Sequence, residues 1–250
     1  MFDVTRVRFK KFLVTSIVIF TWLFSLNAIS SPITLDISYV KLAKQQVAGT
    51  SNYFKKPENS GFQGAKLAIS DSNTTGKFLQ QHFSLSYFLA TKSPQLLAYL
   101  DGQYQQGQRI FMLDVPLAQL VQLEQWAKNK SVLLFNVSET ADELRNSQCL
   151  SSVLHTIPSD AMKSDALAQW LLYRRMNKVL LVQGSNSEDV LLAKSFKRAA
   201  KRFGLKIIDE KQWDFNTDLR RSAQQEIPLF TQTVKDYDVV YVANKSKSFA

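Results

Sequence analysis

Glycine is scarce in this 250-residue chain. There are 8, with 6 prolines, 2 histidines and a single cysteine. So few glycines leave little room for phosphate cradles, and no Walker A, G-x-G-x-x-G or H-E-x-x-H pattern occurs. One Cys and two His remove most zinc sites, iron–sulfur clusters and disulfide frameworks. No G-x-S-x-G elbow is present, because Gly184-Ser185 lacks the flanking pattern. His82, just before an expected strand, and His155, within one, read as structural histidines, and Cys149 as a packing residue. No catalytic set, metal site or cofactor is therefore expected. What is present is ordinary globular material: 45% hydrophobic and 21% charged residues, enough to bury a core.

The net charge is +10. Residues 1–30 carry Arg6, Arg8, Lys10 and Lys11 against Asp3, which accounts for +3 of the +10 and leaves +7. A moderately basic surface attracts polyanions without making them the ligand. After the basic residues, Phe12–Leu26 is an uncharged apolar run, and Ala28 and Ser30 supply small residues. A positive start, a short apolar run and a small-residue exit predict a secretory signal peptide over 1–30, cleaved after Ser30. The alternative is an uncleaved anchor, since the uncharged stretch continues to Leu35. Residues 1–30 hold no lipobox cysteine and no adjacent arginines. A periplasmic location follows as the expectation.

From residue 35 onward, strand and helix patterns alternate. Strands are expected at Leu35–Leu42, Phe83–Leu89, Arg109–Val115, Ser131–Val137 and Val153–Thr156. Helical spacing falls between them, over about 61–81, over Leu96–Gln106 and after Pro116. A polar loop with Gly49, Asn52, Pro57 and Asn59 precedes the first helix. A long helix is expected from about Ser159 to Met176. The pattern then restarts with a strand at Lys178–Gln183, a helix at Ser187–Phe203 stopped by Gly204, a strand at Lys206–Asp209, a helix within Leu219–Lys235 and a strand at Tyr237–Ala243. Strands separated by helices of this length mean βαβ units and a parallel sheet. The last expected strand has no covering helix after it, which reads as a C-terminally truncated chain or a small second lobe. The expected organisation is a first α/β lobe over 31–158, then an interlobe helix and an incomplete second lobe over 159–250.

The helix at Ser187–Phe203 carries Lys194, Lys197, Arg198, Lys201 and Arg202 on one face. With an apolar opposite face, this reads as a solvated surface rather than a nucleic-acid contact. Open parallel sheets bind ligands beyond the carboxyl ends of their strands. The candidate ligand-binding residues are therefore Asp114, Asn136, Ser138, Ser185 and Asn186, each in a loop after a strand. Ser138 and Asn186 are also good helix-capping types.

Several segments resemble the type I periplasmic substrate-binding proteins of ABC transporters, the branched-chain amino-acid class. They are Gly64–Ile69 leading to Asn73-Thr74-Thr75-Gly76, then His155–Asp160, then Lys178–Gln183 before Ser187–Phe203. A narrower similarity is to the subfamily associated with PQQ-dependent alcohol dehydrogenase systems. It is carried by Leu133–Val137, Leu154-His155-Thr156, Asp165–Gln169, Arg220–Gln224 and Pro228–Gln232 before Tyr237–Val240. The resemblance implies two lobes closing on a small molecule, a helix ended by the Asn and Gly of the first segment, and a hinge at Pro158 and Ser159. It implies a non-enzymatic, monomeric binding protein delivering solute to an inner-membrane ABC permease; a receptor of the same fold acting on a signalling partner is the alternative. Asp114 stands where the class has a Gly-Pro-x-Ser-like loop, and a negative charge there would repel a ligand carboxylate.

Overall fold

In a computed structural model, the described residues are 32–43, 57, 59–213, 228–234 and 236–245. The expected signal segment, the loop at Gly49 and Asn52, and most of the helix expected within Leu219–Lys235 lie outside them. The chain divides into two compact units, residues 1–35 with 66–84 and residues 36–65 with 85–250.

The element order is β1 (Ile33–Leu42), α1 (Ser60–Leu79), β2 (Gln81–Ala90), α2 (Ser93–Gln105), β3 (Ile110–Asp114), α3 (Leu117–Ala127), β4 (Leu133–Asn136), β5 (Val153–His155), α4 (Asp160–Tyr173), β6 (Lys178–Gly184), α5 (Ser187–Phe203), β7 (Lys206–Trp213) and β8 (Val239–Ala243). A five-stranded sheet has the order β2-β1-β3-β4-β5, and a three-stranded sheet the order β7-β6-β8. The pairs β1–β3, β3–β4 and β4–β5 are parallel, as are β6–β7 and β6–β8. The fold is thus α/β with parallel sheets and helices, as the alternation predicts. His82 falls inside β2 rather than before it.

In the smaller unit, Asn73 and Gly76 do not end the first helix. α1 runs through both to Leu79. The Asn73 amide donates to the Phe83 carbonyl and its oxygen accepts the Phe83 N–H, both at 2.8 Å, so it ties the helix to the start of β2. Gly76 is buried, and the Gln81 carbonyl occupies the space a Cβ would need. These two residues serve the helix-to-strand contact, not the helix stop.

In the larger unit, Val40, Phe111, Leu113, Leu134 and Val153 of the first sheet pack with Leu96, Leu100, Leu120 and Leu123 of α2 and α3. In the second sheet, Val179–Val182 are all buried, which suits a strand in the middle position. β7, by contrast, is polar (KIIDEKQW) and mostly exposed, which suits an edge. It continues four residues past its expected end. Val179, Leu181 and Ala243 pack with Ala168 and Leu171 of α4 and with Ala193, Phe196, Ala199 and Ala200 of α5.

α5 is fully specified by local chemistry. Asn186 caps it, Glu188 and Asp189 lie in the first turn, Lys201 and Arg202 in the last, and Gly204 closes it in the left-handed region at φ 79°. Of its basic face, Arg198 and Arg202 both pair with Asp165, at 2.6 and 2.9 Å, and Lys197 pairs with Glu210 at 2.7 Å. Three of the five basic side chains thus have a carboxylate partner, two of them sharing Asp165.

Candidate functional site

A cleft of about 1030 Å³ lies where the segments after β3, β4, β5, β6 and β8 converge. All its lining residues belong to the larger unit. Pro116, Leu117, Ala118, Ala161, Met162 and Leu191 supply its apolar surface.

The polar part is organised around carboxylates already at work. Glu139 accepts N–H bonds from Thr140 at 2.8 Å, Ala141 at 2.9 Å and Leu117 at 3.2 Å, so it pins its own loop to the start of α3. Asp142 stands on a short 3-10 helix, Asp142–Arg145. Its carboxylate accepts the Ala161 N–H at 2.7 Å and the Ser195 hydroxyl, linking that turn to α4 and α5. Asp160 pairs with Lys245 at 2.7 Å. The Lys245 N–H donates to Asp189 at 2.6 Å, and the Asn186 amide reaches the same carboxylate at 2.6 Å. Burial pushes the Asp189 carboxyl up, and these two donors pull it back. A Cβ at Gly184 would collide with Asp189, so glycine makes room for this network. Among the described residues, Glu143, Glu188 and Lys194 line the cleft with no ion pair. Both signs of charge beside an apolar surface suit a small amphoteric solute. No group of three His, Cys, Asp or Glu able to hold a metal occurs among the described residues.

The loops chosen from sequence surround this cleft, but none of the five ligand-binding residues named in them lines it. Asp114 ends β3, where it accepts the Tyr39 hydroxyl at 3.1 Å and pairs with Lys41 at 3.4 Å. Its charge is answered by Lys41, and its side chain is not among those lining the cleft. Asn136 is fully buried at the end of β4. Its amide donates to the Glu139 carbonyl at 2.7 Å and meets His155 Nδ1 at 3.0 Å, and its oxygen accepts from Glu139 N at 2.9 Å and Ser138 N at 3.2 Å. Ser138 is not a helix cap, because the next element is the 3-10 helix with Ala141 at its cap position. Ser185 is exposed after β6. Asn186 caps α5 through a 2.9 Å bond from Asp189 N. Of the expected hinge pair, Ser159 lines the cleft and caps α4 with a 3.3 Å bond from Met162 N, while Pro158 is exposed between β5 and α4. The lining residues next to the named ones are Pro116, Glu139 and Ser187. Met162, Leu191 and Lys245 carried no sequence signal of their own, and Lys194, read as part of a solvated basic face, lines the cleft.

His155 ends β5 and faces the Asn136 amide. Burial and the Arg145 charge lower its pKa, against a raising bond to the Leu144 carbonyl. With Nδ1 facing the Asn136 amide, the folded state holds the ring neutral. A depressed folded value means the contribution to stability is present above the ordinary value of about 6.5 and is lost as pH falls through the folded one. Urea midpoints at pH 7 and pH 5 are expected to drop on acidification, and His155→Gln is expected to flatten that drop.

This architecture, parallel sheets with a cleft at their carboxyl ends, is the fold of the periplasmic binding proteins. Among solved structures, an ABC transporter substrate-binding protein from Desulfitobacterium hafniense matches with a TM-score of 0.60 and 15% identity, over 85% of this chain and 58% of that one. The complex with Leu of an ABC transporter substrate-binding protein from the same organism matches equally. A branched chain amino acid ABC transporter periplasmic ligand-binding protein from Burkholderia xenovorans LB400 matches with a TM-score of 0.59 and 18% identity, over 78% of this chain and 50% of that one. The likeness is one of fold, and the chain spans between half and three fifths of the length of these structures. No family model matches the chain, and no curated protein does.

Proposed function

We propose that the chain is an exported solute-binding protein of an ABC transport system, acting in the periplasm and holding a small molecule in the cleft. The observation that carries this reading is the 1030 Å³ cleft at the strand ends, with apolar and doubly signed lining. The two α/β lobes, residues 31–158 and 159–250, would close on the solute with Pro158 and Ser159 at the hinge, and the closed state would be the form offered to the permease. Residues 1–30 would direct export and be removed after Ser30. A monomer suffices for this mechanism. The Leu complex of the similar fold makes an apolar amino acid the first solute to try, and Met162 and Leu191 suit its side chain. The sequence segments similar to the PQQ-associated subfamily make PQQ, alcohols and aldehydes the second set.

The test is a thermal-shift screen of the full chain against these solutes. Binding at 100 times Kd stabilises by about 2.7 kcal/mol. One solute is expected to raise Tm, and Leu191→Trp, which crowds the apolar wall of the cleft, is expected to remove the shift while Tyr173→Ala leaves it. A shift that survives Leu191→Trp, or no shift with any solute, overturns the reading.

A further inference from the structure

The cleft holds a cation that the protein leaves partly unanswered. Arg145 is the last residue of the 3-10 helix Asp142–Arg145, and it lines the cleft. The turn that carries it is fixed from two sides. Leu144 is fully buried in the core of the first sheet, and the Asp142 carboxylate is held by the Ala161 N–H and the Ser195 hydroxyl. Arg145 Nη2 donates to the Ile157 carbonyl at 2.5 Å. Nη1 is buried and has no hydrogen-bond partner. Among the described residues no carboxylate forms an ion pair with Arg145, not even Glu143 on the same turn.

A guanidinium stays charged at every working pH and presents its N–H groups as a fork. Here one arm is in use and the other is shut away from water without an acceptor, a costly state until an acceptor arrives. A carboxylate is the matching acceptor, because its two oxygens fit the fork and its single charge balances the guanidinium. A phosphate suits the cleft less well. Glu143 and Glu188 also line it and would oppose a second negative charge. Met162 and Leu191 give the rest of the solute an apolar wall.

We propose that Arg145 selects the solute: it turns Nη1 into the cleft to take a solute carboxylate, while Nη2 keeps the Ile157 carbonyl. The solute class is then a monocarboxylate with an apolar body, with or without an amino group. Ile157 directly precedes Pro158 and Ser159, so the side chain that reads the solute also grips the segment proposed as the hinge. This inference rests on the cleft being the solute site, and it sets carboxylates ahead of neutral alcohols and aldehydes.

The test is calorimetric titration of the full chain with leucine, isocaproate and leucinol. Isocaproate keeps the carboxylate and drops the amino group; leucinol keeps the amino group and drops the carboxylate. The tighter of the two carboxylates is expected to bind at least about 30-fold more tightly than leucinol. Arg145→Ala is expected to remove that advantage, and Arg145→Lys, which keeps the charge without the fork, to restore part of it. His155 gives a local readout, because the Arg145 charge is one of the causes that lower its pKa. A carboxylate seated on Arg145 offsets that charge. The His155 titration, followed by NMR with the His82 ring as reference, is expected to move upward with the bound carboxylate and not with leucinol. If Arg145→Ala fails to fold, Arg145→Lys and the wild-type His155 titration decide.

Leucinol binding as tightly as the carboxylates overturns the proposal and leaves the cleft standing as a solute site. Carboxylate binding that leaves His155 unmoved, or that survives Arg145→Ala, does the same. If none of the three binds while PQQ, an alcohol or an aldehyde raises Tm, the role given to Arg145 fails and the cleft reading stands. If no solute binds at all, both fall.

Discussion

Asn136→Ala is expected to cost about 3 kcal/mol of stability, read as a fall in the urea midpoint at pH 7. The side chain is fully buried and joins four partners: the N–H groups of Ser138 and Glu139, the Glu139 carbonyl and His155 Nδ1. Alanine leaves all four without it, in a place where water has no ready access. Each unsatisfied buried group costs roughly 1–3 kcal/mol. The loop can relax and recover part of that, which brings the total just below the low end of the sum, about 4 kcal/mol. Asn136→Asp separates the roles. It keeps an acceptor for the two N–H groups but replaces the amide donor facing His155 with a negative charge. That charge favours the imidazolium. The aspartate variant should therefore be weakened at pH 7 and regain part of its deficit as pH falls, opposite to the wild-type trend. An alanine variant as stable as the wild type would mean that the loop holds itself without Asn136, and that this residue is free to serve a ligand.

The same residue shows how far the site could be read from sequence. Polar residues after strands mark the loops that ring a cleft in an open sheet, and those loops were legible. Yet the residues that mark a loop are often consumed in building it. Asn136 is spent on the Ser138–Glu139 backbone, Asn186 on the first turn of α5, and Asp114 on Tyr39 and Lys41. The side chains left facing the cleft are the next ones along, Pro116, Glu139 and Ser187, together with Met162 and Leu191 from helix faces. A helix face turned toward a cavity has the same periodicity as one turned toward solvent, so nothing local separates them. Lys245 could not be placed from sequence at all, because its role depends on Asp160 and Asp189, far away in the chain.

The fold was more legible, for a physical reason. β6 is a run of apolar residues because both its faces are covered, and α5 carries a cap, acidic and basic ends and a stop glycine in the order its dipole requires. Elements that obey several local rules at once are read correctly. The 3-10 helix at Asp142–Arg145 obeys few. It is held by Asp142 bonds to Ala161 and Ser195, both distant in sequence. β7 outran its expected end because its polar residues lie on an edge, where alternation is not enforced by burial.

The largest single effect expected is in the second sheet. Phe196→Ala should lose about 4 kcal/mol, measured by denaturant unfolding. Phe196 is fully buried on α5, and its ring stacks on Tyr241 of β8 at 3.8 Å with 17° between planes. Around it lie Ala168, Ala193, Ala199, Ala200 and Ala243. Small neighbours let α4 and α5 come close, but they have no atoms to spare for filling a hole. A cavity at Phe196 therefore stays open, and the cost depends on the cavity that remains. Phe196→Leu, which keeps most of the volume, should lose about 1 kcal/mol. Tyr241 gives a second readout. Burial, with the Asp160 charge, pushes its hydroxyl up to about 12. Removing the ring that covers one face should admit water, so the absorbance titration of this tyrosine should move back toward the ordinary value of about 10. Asp160 also pairs with Lys245 at the cleft, so the same substitution should loosen the cleft wall and reduce any solute-induced Tm shift along with stability. If Phe196→Ala unfolds no more easily than Phe196→Leu, the alanine-rich contact between the helices is able to close, and packing here is not what holds the second sheet to its helices.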